Sequence, residues 1–168
     1  MRDDLLGKKA EKKIKDWLDH PELGYCFDRL PDQMTGFYGS KNICDFTLFK
    51  YPYFFYIESK ASYNDNIPFS YITDNQMDKM LEKSIIKGVY PIVIFLYAAH
   101  QRAFMFLISD IQKLIDNGGP KSLNVKKEPK WTIPHVEIPT IPNKRKELLD
   151  YTGEIENLLL ELKKQPFA

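Results

Sequence analysis

ICDFTLFKYPYFFYIESKAS, residues 43–62, is rich in aromatic and β-branched side chains. Lys50, Tyr51 and Pro52 divide it, so Ile43 to Phe49 and Tyr53 to Lys60 read as an antiparallel pair of strands. Side chains two apart on a strand share a face, so Glu58 and Lys60 project to one side while Phe55 and Ile57 point to the other. Asp45 interrupts the apolar first half. A charge is costly there unless it is paired or bound to a metal. Pairing of the two strands brings Asp45 beside Glu58.

Before this stretch, residues 4 to 19 place Leu6, Ala10, Ile14 and Trp17 on one helical stripe, with Lys8, Lys12 and Lys15 on the opposite side. Pro21 and Gly24 end that pattern, GYCFDRL reads as a short strand, and PDQMTGFYGSKN reads as a loop or protruding hairpin. After it, ASYNDNIPFSY predicts a loop. Thr73 followed by Gln76 fits a capping box, with Met77, Met80, Leu81 and Ile85 as the apolar face and Gly88 at the C-terminal cap. VYPIVIFLYA and RAFMFLI predict two core strands joined at His100 and Gln101, followed by a helix over Ser109 to Asn117. Prolines at 120, 129, 134, 139 and 142 predict an irregular tail until a helix from about Asn143 to Lys164. The order of elements predicts an α/β fold with a mixed central β-sheet flanked by helices. One domain is expected over 1–168, with its core in about 1–118 and a proline-rich tail and helix in about 119–168.

Lys plus Arg number 24 against 23 for Asp plus Glu, so net charge favours neither nucleic acid nor membrane, and distribution must decide. The apolar run near Val89 to Ala99 is too short to span a bilayer, which predicts a cytoplasmic protein without a membrane partner. Cys26 and Cys44 form no CxxC pair, and both are expected to be free and buried. No glycine-rich phosphate loop occurs, so a nucleotide cofactor is not expected. Ser84 and Lys87 match SxxK without the accompanying acyl-transfer motifs, and His20, His100 and His135 stand singly beside prolines or turns, as surface positions would.

Two carboxylates held close must share a proton unless a divalent cation neutralises them. Mg²⁺ suits such a site, because it takes one or two carboxylates, keeps several waters and accepts substrate phosphate oxygens. It would polarise a phosphodiester and help generate hydroxide, while Lys60 stabilises charge on the phosphate or orients the attacking water. A Glu and a Lys two apart are also what an ordinary solvated ion pair looks like. The aromatic setting of Asp45 and Glu58 favours the site.

TGFYGSKNICDFTLFKYPYFFYIESKAS, followed by PFSYITDNQ, resembles the core of RecU-type Holliday-junction resolvases of the PD-(D/E)XK nuclease superfamily, over about residues 35 to 100. The likeness lies in the glycine-aromatic-glycine turn, the D-[FY] strand, the strand ending in E-x-K-[AS], the P-[FL] loop and the glutamine near the start of the next helix. It implies a restriction-endonuclease-like core and metal-dependent nicking of four-way DNA junctions in recombination and repair. By position it implies Asp45 and Glu58 as metal ligands with the Ser59 carbonyl, Lys60 as the catalytic lysine, and Gln76 as the helix glutamine. Mg²⁺ is the implied cofactor, with Mn²⁺ able to substitute, and a homodimer the implied assembly. The compact size leans toward a phage version. Many nucleases of this superfamily carry a glutamate on the first helix, which points to Glu11 as an accessory catalytic residue. An ion pair of Glu11 with Lys8 or Lys15 explains it equally, and for Gln76 the capping box is the stronger explanation, since it accounts for a glutamine there without any active site.

Phosphate contacts are expected from Lys8, Lys12 and Lys15, from Arg29 and Lys41 beside the turn-rich segment, and from Lys144, Arg145 and Lys146. The matching stalk, DRLPDQMTGFYGSKN, is short and carries few basic residues, so nuclease chemistry is expected more firmly than junction selectivity. Two alternatives stand beside the resolvase: another nuclease of the superfamily acting on duplex DNA, and a non-catalytic DNA-binding protein of the same fold. The intact Asp45, Glu58 and Lys60 set argues against the last.

Overall fold

A computed structural model describes residues 2–31, 42–142 and 148–167. In chain order its elements are α1 (Arg2–Leu18), β1 (Cys26–Arg29), β2 (Phe46–Lys50), β3 (Tyr53–Ser62), β4 (Asn66–Pro68), α2 (Asp74–Ser84), β5 (Val89–Tyr97), β6 (Arg102–Leu107), α3 (Ile108–Asp116), β7 (Ser122–Asn124), β8 (Val136–Glu137), β9 (Thr140–Ile141), β10 (Asp150–Tyr151) and α4 (Ile155–Lys164).

Six strands form one sheet in the order β1-β2-β3-β5-β6-β8, and β4 pairs with β7 and β9 with β10. The hairpin expected from residues 43–62 is present: β2 and β3 run antiparallel with Lys50 opposite Tyr53, closed by Tyr51 and Pro52. β3 and β5 are parallel, Glu58 opposite Val93 and Lys60 opposite Phe95. Parallel neighbours need a crossover, which the segment carrying α2 supplies. The remaining pairs are antiparallel, so the sheet is mixed.

Alternation along the strands divides the core in two. Phe55, Ile57, Ile92 and Ile94 pack with Leu6, Ala10, Ile14 and Leu18 of α1 and with Ile155, Leu158, Leu159 and Leu162 of α4. Val93, Phe95, Phe104 and Phe106 pack on the other face with Met77 and Met80 of α2 and Ile111 and Leu114 of α3. This is the α/β fold with a mixed central sheet flanked by helices that the sequence predicts. Among the described residues, no helix is long and apolar enough to cross a membrane.

Several expectations need correction. β2 begins at Phe46 rather than Ile43, and Asp45 stands at its entrance. α2 ends at Ser84, so Ile85 is no part of the apolar face and is 86% exposed; Gly88, at φ 84°, turns the chain into β5 four residues later. Cys26 is exposed, because it lies on β1 at the edge of the sheet, whereas Cys44 is buried. The tail holds four short strands and a 3-10 turn over Val125–Lys130, and its helix begins at Ile155. His135 is half-buried against Phe104, Phe106 and Trp131, with its ring nitrogens on Ile133 O and Glu128.

Candidate active site

Asp45 is fixed by backbone before its side chain does anything. Its N–H donates to Ile57 O at 3.1 Å and its carbonyl accepts from Leu30 N at 2.8 Å, so both neighbouring strands hold it at the mouth of β2. The last β2 rung pairs Phe46 with Ile57. Where the next rung would form, the Asp45 side chain takes over: Oδ2 accepts the Ser59 N–H at 2.9 Å. The N–H and C=O of a strand residue share one edge, so the Ser59 carbonyl also faces the edge left open beyond β2.

Glu58 and Lys60 project together from β3, as their spacing predicts. Lys60 Nζ lies 2.7 Å from Glu58 Oε1, with Glu58 only 2% exposed. The other carboxylate oxygen, Oε2, is buried without a hydrogen-bond partner. A buried polar atom left unpaired is costly, and such an atom in a native fold calls for an occupant.

Burial raises Asp45, and the neighbouring Glu58 charge raises it further; the Ser59 N–H and Lys60 oppose them, and the result is a carboxyl pushed up to about 8. Glu58 is raised by burial as well, against the opposing pull of Lys60 and a smaller one from Gln76. Two carboxylates are thus packed where neither ionises easily alone, which is the setting a hard divalent cation relieves. Buried Cys44 beside them is pushed up to about 12 by desolvation, so it stays a protonated, inert thiol.

Glu11 adds negative potential to both Asp45 and Glu58. Its partner is neither Lys8 nor Lys15 but Arg29, whose Nη2 lies 2.9 Å from Glu11 Oε2. Among the described residues no three His, Cys, Asp or Glu side chains are grouped closely enough to hold a metal, and the Glu11 carboxylate is directed to Arg29. The donor set available is Asp45, Glu58 and the Ser59 carbonyl. Gln76 completes the capping box with Thr73 and also lies beside Glu58.

Lys8, Glu11, Lys12, Lys15, Arg29 and Phe46 line a groove of about 470 Å³ on the α1 side. Of these cations, Lys12 also pairs with Asp16 at 3.0 Å. The expected contacts Lys41, Lys144, Arg145 and Lys146, and most of the stalk, lie outside the described residues. Lys79 and Lys83 of α2 were not expected, although they stand three and seven residues after Gln76; with Leu30, Asn42, Ile43, Tyr56 and Glu82 they line a second groove of about 390 Å³.

No family model matches the chain, and no curated protein matches it. Among solved structures it is similar to Hjc of Archaeoglobus fulgidus, a Holliday junction resolvase from an archaeal hyperthermophile. Identity is 15% and the TM-score 0.48, over 74% of this chain and 93% of that one. So distant a likeness says nothing of substrate, and the reading of the site rests on its own residues.

Proposed function

We propose that this chain is a metal-dependent DNA endonuclease that nicks four-way junctions in recombination and repair. One observation carries the nuclease reading: Asp45, anchored on Ser59 N–H, and Glu58, with Oε2 buried and unpartnered, stand together beside Lys60. The four-way junction as substrate comes from the resemblance of residues 35–100 to RecU-type resolvases.

Asp45, Glu58 and the Ser59 carbonyl are the residues that would hold Mg²⁺, or Mn²⁺ in its place. The ion supplies Lewis-acid polarisation of the phosphodiester and a more acidic bound water. The chain's own groups do the rest. Lys60, at the rim of the site, places a positive charge where phosphate oxygens gain negative charge during hydrolysis. Lys8, Lys12, Lys15 and Arg29 offer backbone phosphates a cationic groove, and Glu11 holds Arg29 at its wall. Gln76 orients the inner end of the site from α2. A two-fold homodimer would present two such sites to the paired strands of a junction.

The test is cleavage with Mg²⁺ of a labelled four-way junction, a linear duplex of equal sequence and a single strand. Paired symmetric nicks confined to the junction are expected, and Lys60→Ala should lower their rate by roughly 10²–10³ without weakening junction binding. Cleavage of duplex would replace the junction by a duplex substrate. No cleavage by wild-type protein with any divalent metal would sink the nuclease reading.

A further inference from the structure

Gln76, Lys79 and Lys83 occupy i, i+3 and i+7 of α2, a spacing that sets them on one side of the helix. Met77 and Met80 face the core, and the stripe runs along their flank, half-buried at each of its three positions. It starts at Glu58, which Gln76 touches electrostatically, and continues outward into the 390 Å³ groove. Three wall residues tie that groove to the carboxylate pair. Tyr56 precedes Glu58 by two on β3 and shares its face, Ile43 precedes Asp45 by two, and Leu30 N donates to Asp45 O. Leu30, Ile43 and Tyr56 belong to the α2 side of the sheet, whereas Phe46, in the wall of the α1 groove, belongs to the other. The carboxylate pair therefore sits between two cationic grooves that approach it from opposite faces.

A polyanion with one charge every ~3.4 Å along each strand suits such an arrangement, and Lys79 and Lys83 lie about 6 Å apart along the helix axis. We propose that the α2 groove holds backbone phosphates of the cleaved DNA strand on the far side of the scissile bond from α1, with Lys79 and Lys83 as the contacting cations. Glu82, exposed on the rim, repels a phosphate there and confines the contact to those two lysines. This rests on the nuclease reading and extends it to how the strand is laid across the site.

The experiment measures binding of a labelled four-way junction and a duplex in EDTA over a series of salt concentrations. Wild-type protein is compared with K79A/K83A, with K79R/K83R and with K121A/K164A, which removes two exposed lysines elsewhere. In K79A/K83A the slope of log Kd against log salt should fall by about 2, about 1 per lysine, with binding at ~0.1 M salt weakened roughly 50- to 100-fold. The arginine variant and the control should keep the wild-type slope. Alanine raises helix propensity at both positions, so α2 itself is not at risk. A wild-type slope in K79A/K83A, with wild-type binding intact, overturns the inference and leaves the nuclease reading standing. Failure of the wild type to bind either DNA overturns both.

Discussion

Asp45 Oδ2 is hydrogen-bonded to the backbone N–H of Ser59, the residue between Glu58 and Lys60. One bond thus fixes the carboxylate from the entrance of β2 against the strand that carries the other two groups. It favours the ionised form of Asp45, yet burial and the Glu58 charge outweigh it, so Asp45 holds its proton until a cation displaces it or the pH rises through about 8.

That penalty on the ionised form predicts the behaviour of Asp45→Asn. An amide oxygen still accepts the Ser59 N–H, while the buried carboxyl that the unfolded chain ionises freely and the folded chain does not is gone. In EDTA the variant should melt roughly 2–4 °C above wild type, the shift that about 1 kcal/mol gives a chain of this size. Saturating Mg²⁺ should then raise the wild type and leave the variant unmoved, because only the wild type gains from binding. Thermal melts with and without metal decide it; a variant that melts lower in EDTA makes Asp45 a structural residue.

A pH dependence follows with a definite sign. Asp45 is raised from 3.8 to about 8, so the folded protein holds its proton more tightly than the unfolded chain. The stabilisation is fully present below the ordinary value and is lost as pH rises through about 8. Glu58, also raised, acts in the same sense; Asp65, lowered by Lys126 and His100, acts in the opposite one. The difference between wild type and Asp45→Asn isolates the effect: metal-free wild type should lose stability relative to the variant between about pH 4 and 8. Mg²⁺ must displace the same proton, so its affinity should tighten up to about tenfold per pH unit below 8. Calorimetric titrations that return one affinity at all pH values would contradict this.

The hairpin and its Asp45, Glu58 and Lys60 set were legible because period-two alternation is local and survives without knowledge of neighbours. The Thr73–Gln76 capping box was legible for the same reason, being complete within four residues. What escaped depends on distant partners. Two-residue strands such as β9 and β10 carry no period of their own. The tail is instead positioned by Lys13 on Asp150, Trp17 Nε1 on Gly153 O and Tyr25 on Glu156, contacts spanning more than a hundred residues. Glu11 offered several helix neighbours as partners, and only the sheet order brought Arg29 to it. The exposure of Cys26 likewise followed from β1 lying at an edge.

Those tail contacts make α4 part of the core beneath α1, which sets a stability prediction. Leu159 is fully buried, and Leu160, the next residue, is 41% exposed. Leu159→Ala should cost about 2–5 kcal/mol, and Leu160→Ala no more than about 0.5 kcal/mol. Urea denaturation of the pair measures the contrast. Equal small losses would mean that α4 is not docked as described.

Gln76 caps α2 and lies beside Glu58, and substitution separates the two. Its Oε1 accepts Thr73 N at 3.1 Å, while its N–H donates to Thr73 Oγ1 at 3.2 Å. Glutamate serves the same position of a capping box, so Gln76→Glu keeps the helix start while adding a third carboxylate beside Glu58. Gln76→Ala instead loses the side-chain bond. The glutamate variant should keep the helix cap yet cut at least about tenfold more slowly, whereas the alanine variant should lose about 0.5–1.5 kcal/mol with the cap. Cleavage rates and denaturation curves on the two variants separate the roles, and a wild-type rate in Gln76→Glu would reduce this glutamine to a helix cap.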